Sequence, residues 1–285
     1  MSCGFIHEDS KILTADLRYI KAKDIKIGER VIGFKENIEG QGQRRRFTES
    51  IILGSEPVEG KCLSVTISDG SEIKCSEHHR LLVPKKNGSN WHWEESGEIK
   101  KETWLTRMLP YFEPKNSYEA GYLAGFYDGE GSVCGQKNKK KKFGTIKVSC
   151  SQKGGKTMSY VLDILEEFGY KISSPHENGT PEQYEMVYHW ELCGKAQCIK
   201  FLGEIRPKRL IKNLNLDNIG ALHVFKDERT FVSHVKELGV QPMRAITTST
   251  KTFIADGFAA YHSGEPTHTG KYDSVTRLDS PSQVL

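Results

Sequence analysis

Short apolar runs separated by turn residues fill the first third of the chain. Between two of these runs stands the pair Asp69-Gly70, which is typical of a β-hairpin turn. The runs that predict strands lie at 11–14, 30–34, 51–53, 62–67, 72–75 and 80–83, and again at 230–238, 244–248 and 252–255. This pattern predicts a mostly β domain built from both ends of the chain.

The apolar spacing changes near Glu113. We expect a first helix that is capped by Asn116, with Ser117 as an alternative cap, and that ends at Gly129. Apolar residues three and four apart predict further helices at 156–168 and 195–202, and strands are expected at 145–151 and 184–192. The predicted domains are a β part at 1–112, an α+β insert at 113–214, a second β part at 215–264 and a polar tail at 265–285.

Composition excludes several classes of protein. With 36% hydrophobic and 27% charged residues, the sequence is typical of a soluble globular protein. No apolar run approaches the roughly 20 residues that a membrane helix needs, and no signal peptide is recognised. The seven cysteines are scattered without a CxxC pair, which predicts reduced thiols and a cytoplasmic location.

Positive charge is concentrated in the predicted insert. Residues 113–214 carry 16 Lys or Arg against 12 Asp or Glu, so this segment accounts for the whole formal net charge of +4. A basic insert between neutral flanks indicates a polyanionic partner, and a solvated charged surface is the alternative interpretation.

The segment 123–131, LAGFYDGEG, combines small residues with two acids. On a helix the small side chains would share one face, open to the close approach of another backbone, and the large ones would pack in a core. The small face comprises Gly121, Ala124, Gly125 and Asp128, and the large face comprises Tyr122, Leu123 and Phe126. Asp128 and Glu130 are expected in a glycine-rich turn, where carboxylate and carbonyl oxygens are the ligands that Mg²⁺ prefers.

This segment resembles the LAGLIDADG motif of homing endonucleases. The resemblance implies that Glu130 is the metal-binding acid, with the Gly129 carbonyl as a further ligand and Asp128 as a second catalytic acid. The segment 148–153 resembles the family's strand that ends in a pocket glutamine. This gives Gln152 the role of a hydrogen-bond partner to a metal-bound water.

The segment 205–210, IRPKRL, resembles the closing segment of the same family, in which a lysine lies near the scissile phosphate. The resemblance assigns that role to Lys208, with Lys212 as the alternative. A plain phosphate-contacting surface is the other interpretation of this basic run.

The activity that the resemblance implies is Mg²⁺-dependent hydrolysis of both strands of a specific double-stranded DNA. One motif per chain implies a homodimer whose helices pack through their glycine faces, which brings two Glu130 side chains to the two-fold axis. The family reads DNA with a saddle of strands. The basic residues expected to contact DNA are Lys137, Lys139, Lys140, Lys141, Lys142, Lys147, Lys153 and Arg209.

The flanks of the insert resemble an intein (Hint) domain. The matching blocks are 10–16 and 20–31, then 70–79 with Ser76 and His79 where the family has TxxH, and 252–258 followed by His262. The resemblance implies Cys3 as the splicing nucleophile. Ser263 stands where the family has Asn, and a hydroxyl cannot perform the amide cyclisation, so we expect splicing to be lost. The expected fold is a discontinuous, mostly β Hint-type domain with an inserted α+β LAGLIDADG domain.

Two other functions stay open at this point. One is an active self-processing module that uses Cys3, Ser76 and His79. The other is a DNA-binding regulator or RNA maturase that does not cut, which the retention of Glu130 disfavours. The target sequence cannot be read from the chain, because strand side chains and DNA deformability set it jointly.

Overall fold

The computed structural model describes residues 4–36, 45–84, 91–135, 146–177, 186–220 and 229–261. The chain divides into two compact units, one formed by 1–15, 19–109 and 222–285 and the other by 16–18 and 110–221. The first unit is built of strands from both ends of the sequence, and the second combines strands with helices. The predicted fold class, a discontinuous β domain with an inserted α+β domain, is confirmed.

Sixteen strands and four α-helices are formed by these described residues. The strands are β1 (Ile6–His7), β2 (Lys11–Leu13), β3 (Tyr19–Lys21), β4 (Arg30–Phe34), β5 (Phe47–Ile67), β6 (Glu72–Ser76), β7 (Arg80–Pro84), β8 (Trp91–Glu95), β9 (Trp104–Thr106), β10 (Gly131–Gly135), β11 (Ile146–Lys153), β12 (His176–Glu177), β13 (Val187–Glu191), β14 (Arg229–Thr248), β15 (Thr252–Ala255) and β16 (Phe258–Tyr261). The α-helices are α1 (Tyr118–Glu130), α2 (Lys156–Glu167), α3 (Lys195–Ile205) and α4 (Lys208–Lys212). No helix in the described ranges is long and apolar enough to cross a membrane.

Two six-stranded antiparallel sheets make up the first unit. Their strand orders are β4-β5-β6-β1-β14-β9 and β3-β2-β15-β16-β7-β8. Strands β5 and β14 pair over most of their length, from Ile67↔Val232 to Ile52↔Thr248, with register shifts along the way. The separate strands predicted at 51–53 and 62–67 are therefore parts of one strand. The polar stretch between them stays extended because each of its residues has a partner on β14.

The interior of the first unit is filled by apolar strand residues. Its largest clusters centre on Ile12, Val31, Ile52 and Phe253, and on Val65, Ile73, Leu81 and Leu105. The hairpin predicted at Asp69-Gly70 is confirmed and joins β5 to β6. Gly70 has a φ of +84°, which favours glycine, and the Ser71 N–H donates to Asp69 Oδ1 at 2.9 Å.

The second unit is an antiparallel sheet with helices on one face, in the strand order β10-β11-β13-β12. On β11 the side chains of Ile146, Val148 and Cys150 point to the face that the helices cover. Tyr127 of α1 and Phe201 of α3 meet on this face with ring centroids 4.6 Å apart. Strand alternation therefore leaves the other face of the sheet to more polar residues.

Helices α3 and α4 differ from the prediction. Helix α3 runs to Ile205, beyond its predicted end at 202. Gly203 lies against the ring of Phe112, where an added Cβ would be 2.0 Å from Cε2. The helix therefore contains glycine at this position, despite its low helix propensity, because a larger residue does not fit beside the ring. Helix α4 was not predicted, since five residues are too few for a periodic apolar pattern.

Candidate functional site

Helix α1 begins at a cap supplied by Ser117. The Ser117 hydroxyl accepts a hydrogen bond from the Ala120 N–H at 3.2 Å. This satisfies one of the amide groups that a helix start leaves without an internal partner. The first choice of cap, Asn116, is therefore wrong, and the alternative is confirmed.

The outer face of α1 is formed by glycines. Gly121, Gly125 and Gly129 are spaced four residues apart and are exposed, and a Cβ added at any of them would meet no atom within 4 Å. Such a face exposes bare helix backbone over two turns. In the described chain it is open for a close neighbour of any kind.

The buried face of α1 differs from the prediction. Leu123 and Tyr127 are fully buried, whereas Tyr122 and Phe126 are only half-buried. A helix turns by about 100° per residue, so positions four apart, 123 and 127, share the core stripe. Phe126 lies at its edge, with its ring 6.5 Å from that of Trp190 and parallel to it. Tyr127 is therefore a core anchor that the sequence analysis missed.

Helix α1 does not end at Gly129, as expected, but continues through Glu130. Gly131 caps it, and its N–H donates to the Tyr127 carbonyl. A Cβ at Gly131 would lie 2.6 Å from that carbonyl oxygen, so a side chain does not fit there without a shift. Asp128 and Glu130 consequently lie in the last helical turn rather than in a flexible glycine-rich turn.

The carboxylate of Asp128 caps helix α4. Its Oδ2 accepts the N–H of Lys208 at 2.9 Å, and its Oδ1 accepts the N–H of Arg209 at 2.8 Å. Both oxygens thus satisfy amide groups at a helix start. Asp128, which the sequence suggests as a catalytic acid, thus has both carboxylate oxygens hydrogen-bonded to the start of α4.

The guanidinium of Arg209 covers the end of α1. Its Nη2 donates to the carbonyl oxygens of Tyr127 at 3.1 Å, Gly129 at 3.4 Å and Gly131 at 2.6 Å, and its Nε donates to that of Asp128. Arg209, for which a DNA contact is expected, and the Gly129 carbonyl, which is expected as a metal ligand, are thus in contact with each other. The arginine is engaged with protein, and the carbonyl already has a donor.

Glu130 is the acid that remains available. It is exposed, and its carboxylate has no hydrogen bond or ion pair with any residue that the structure describes. Within the same residues, no three His, Cys, Asp or Glu side chains form a group that could hold a metal ion. One free carboxylate fits Mg²⁺, which usually keeps several waters and binds through one or two carboxylates together with substrate phosphates.

Gln152 and Lys208 lie on elements that adjoin the end of α1. Strand β10 starts directly after Glu130, and Gly131 pairs with Cys150, two residues before Gln152 on β11. Gln152 Oε1 accepts the Lys153 N–H at 2.8 Å. Lys208 is exposed at the start of α4, with its main chain on Asp128. Both residues thus lie on elements next to the end of α1, and among the described residues no hydrogen bond or ion pair joins either side chain to Glu130.

The polar face of the four-stranded sheet carries a network of side chains. Ser151 Oγ lies 2.9 Å from His189 Nδ1, and Lys147 Nζ lies 2.5 Å from a carboxylate oxygen of Glu191. Lys147 and Lys153 alternate with the buried residues of β11, so both belong to this face. The other lysines of the expected DNA surface, Lys137, Lys139, Lys140, Lys141 and Lys142, lie outside the described residues.

A second candidate site lies in the first unit. Ser76 Oγ accepts the Phe5 N–H at 2.8 Å, and the main chain of His79 approaches Gly4 so closely that a Cβ there would be 2.5 Å from the His79 Cα. Burial lowers the pKa of His79 to about 4, and its Nδ1 has no hydrogen-bond partner among the described residues. Cys3, His262 and Ser263 lie outside the described residues.

One family model matches part of the second unit. The family described as "LAGLIDADG-like domain" matches residues 117–206, from the cap of α1 to the end of α3. Residues 117–206 form a LAGLIDADG-like domain. The resemblance that the motif at 123–131 indicates is thereby confirmed for this part of the chain.

Solved structures that match parts or most of this chain include inteins. A DnaB intein from Synechocystis sp. PCC 6803 is 10% identical over 91% of this chain and 98% of its own, with a TM-score of 0.39. The gp41-1 intein is 12% identical over 92% and 100%, with a TM-score of 0.38. A bacterial intein-like domain from Clostridium thermocellum is 23% identical over 37% and 67%, with a TM-score of 0.29. No curated protein matches this chain.

Sequence analysis missed part of the polar face of the LAGLIDADG-like domain. Ser132, Ser149, Ser151, His189 and Glu191 lie there and were not singled out. The signal was present in β13, where His189 and Glu191 alternate with the apolar or aromatic positions 188 and 190. Alternation of this kind predicts a strand with one solvent-exposed face.

Proposed function

We propose that this protein is a site-specific DNA endonuclease whose LAGLIDADG-like domain cuts both strands of a duplex. The observation that carries the proposal is Glu130. Its carboxylate is exposed and has no hydrogen-bond or ion-pair partner among the described residues. It lies at the end of a helix whose outer face consists of three glycines. A solvated surface acid would not require such a helix, because glycine costs about 1 kcal/mol at each helical position.

The chemistry needs an activated water and neutralisation of phosphate charge. A bound Mg²⁺ supplies both in hydrolytic sites of this kind. Glu130 would hold the ion, Gln152 would orient the attacking water by a hydrogen bond, and Lys208 would lie near the scissile phosphate. Asp128 keeps its role as the cap of α4 in this proposal.

The proposed active form is a homodimer. One chain has one motif, and a double-strand cut needs two acids, one for each strand. Packing of two α1 helices through Gly121, Gly125 and Gly129 would bring two Glu130 side chains together at a two-fold axis. Such symmetry favours a target that is roughly palindromic.

The proposed DNA surface is the polar face of the four-stranded sheet. Lys147 and Lys153 lie on it, and the lysines at 137 and 139–142 follow the end of β10 in the sequence. Serine hydroxyls, His189 and Glu191 add hydrogen-bonding groups of the kinds that read base edges. Each phosphate that a lysine neutralises should add about −0.9 to the slope of log affinity against log salt.

The test is cleavage of a randomised double-stranded DNA library in the presence of Mg²⁺. Cut ends that share one sequence would establish a specific endonuclease and reveal its target. Specific binding without any cut would leave the regulator or maturase interpretation in its place. Loss of all cutting in the Glu130→Gln form would identify the acid.

For the first unit, we propose a degenerate intein domain that no longer splices. Ser263 replaces the asparagine that the release step uses. One observation favours residual self-processing as a second function, namely the contact of Ser76 and His79 with the main chain at Phe5 and Gly4. Incubation of a fusion with a thiol tests it: cleavage upstream of Cys3 that disappears in His79→Ala would support self-processing, and an intact fusion would refute it.

A further inference from the structure

We propose that Arg209 and Asp128 are positioning residues that fix the end of helix α1, and that they contact neither DNA nor metal. This inference rests on the proposed endonuclease function, because it assigns to Glu130 alone the acid role at that helix end. It reverses the roles that the sequence suggested for both residues.

The first argument is the number of main-chain groups that Arg209 binds. Its Nη2 and Nε donate to four of the five carbonyl oxygens from Tyr127 to Gly131, all except that of Glu130. Two of them, those of Asp128 and Gly129, are carbonyls of the kind that a helix end leaves without an internal partner. A positive charge here also offsets the negative end of the helix dipole. A guanidinium that donates to this many carbonyl oxygens would have to break hydrogen bonds to turn toward a DNA phosphate.

The second argument is that the contact is reciprocal. Asp128 in the last turn of α1 caps α4, and Arg209 in the first turn of α4 covers the end of α1. Each helix end supplies the charge that the other end requires. Glu130 lies between two residues, Gly129 and Gly131, whose carbonyls are both bound by Arg209, so its main chain is fixed on either side.

The third argument is the contrast between the two acids. Both oxygens of Asp128 accept amide hydrogen bonds, which hold this carboxylate against the start of α4. Glu130 has no such bond among the described residues and can turn to a ligand without loss. The spacing of two residues between the acids therefore separates a structural carboxylate from a reactive one.

The test compares Arg209→Lys and Arg209→Ala with Lys153→Ala on the DNA target of the dimer. Lysine keeps the charge that a phosphate contact needs but lacks the planar fork that spans several carbonyls. If Arg209 positions Glu130, Arg209→Lys should cut about 100-fold more slowly at saturating DNA, since small displacements of a reacting group have effects of that size. Its affinity for DNA and the salt dependence of binding should stay unchanged.

A DNA contact would give the opposite pattern. Arg209→Lys would then bind and cut almost like the wild type, and Arg209→Ala would reduce the salt slope by about 0.9, as is expected for Lys153→Ala. Either result would overturn the proposal. Asp128→Asn serves as an independent variant, because an amide cannot accept both N–H groups through oxygen, and it should slow cutting without a change in affinity.

Hydrogen exchange separates this inference from the proposed function. In the protein without DNA, Arg209→Lys and Asp128→Asn should speed exchange of the amides at 128–131, whereas Glu130→Gln should leave them unchanged. If the wild type fails to cut any DNA, the endonuclease proposal falls and this readout still decides the positioning role. Unchanged exchange at 128–131 in both variants would refute that role.

Discussion

The indole Nε1–H of Trp190 donates a hydrogen bond to the phenolic oxygen of Tyr127 at 3.1 Å, and both side chains are fully buried. Burial raises the pKa of Tyr127 well above its usual value, so the hydroxyl stays protonated at all pH values near neutrality. Because Tyr127 belongs to α1 and Trp190 to β13, this bond ties the helix that carries Glu130 to the central sheet.

Removal of the Tyr127 hydroxyl should destabilise the LAGLIDADG-like domain. Tyr127→Phe leaves the Trp190 N–H buried without an acceptor, which costs about 1–3 kcal/mol. Urea denaturation measures the free energy of unfolding. Tyr160→Phe, on the partly exposed ring of α2, is the matched control and should change stability by less than about 0.5 kcal/mol. Equal effects in both variants would contradict the role of the buried bond.

A side chain at Gly131 should be costly, although its backbone conformation is ordinary. With a φ of −81° the residue is not strained, so the effect is one of space alone. The Cβ of Gly131→Ala would lie 2.6 Å from the main-chain carbonyl oxygen of Tyr127, and crowding of this kind costs about 1–3 kcal/mol. Gly129→Ala, with open space at its Cβ, should instead stabilise the helix by up to about 1 kcal/mol. A thermal melt of both variants, at concentrations where the chain is monomeric, checks the difference in sign.

Gly125→Ala should separate the stability of the chain from its association. In the single chain its Cβ meets nothing within 4 Å, so the helix gains roughly 0.5–1 kcal/mol. In a dimer packed through this face the same methyl group would hold the helices apart, and the dissociation constant should rise at least tenfold. Analytical ultracentrifugation measures it. A dimer that tolerates Gly125→Ala would show that association uses another surface.

Acid should destabilise the first unit through His79. Burial lowers the pKa of His79 in the folded protein to about 4, whereas the pKa of a free imidazole is about 6.5, so between these values the unfolded chain binds a proton that the folded chain does not. The part of the free energy of unfolding that depends on neutral His79 is fully present above pH 6.5. It is lost as the pH falls toward 4, and the total loss is on the order of 3 kcal/mol. Denaturation at a series of pH values measures it.

His79→Gln supplies the check on that assignment. The variant should lose the part of the pH dependence between 6.5 and 4 that comes from this imidazole, whereas His234→Gln, at an exposed position, should keep it. The prediction fails if the two variants show the same slope.

The features that could be predicted from sequence are the local ones. Helix α1 was placed because its glycines, its large residues and its cap lie within fifteen positions of one another. The Asp69-Gly70 turn has a signal of the same short range. Strand β5 was divided in the prediction because its middle is polar, and only pairing with β14 keeps that stretch extended.

The features that could not be predicted depend on contacts between distant positions. Arg209 and Asp128 are 81 residues apart. Nothing in the local pattern of 205–212 indicates that Arg209 binds another helix rather than a phosphate. The identity of the core aromatic, Tyr127 rather than Phe126, depends on the rotation of α1 against the sheet. A shift of one residue along a helix is about 100°, which is enough to exchange a core position for an edge.

The most direct test of the endonuclease proposal is the rate of double-strand cleavage of the target recovered from the library. It is measured for the wild type, for Glu130→Gln and for Glu119→Gln, which removes the same charge at the other end of α1, with DNA affinity determined in parallel. Glu119→Gln should cut like the wild type, and Glu130→Gln should bind the target but not cut it. Equal cutting by Glu130→Gln and the wild type would contradict the proposal.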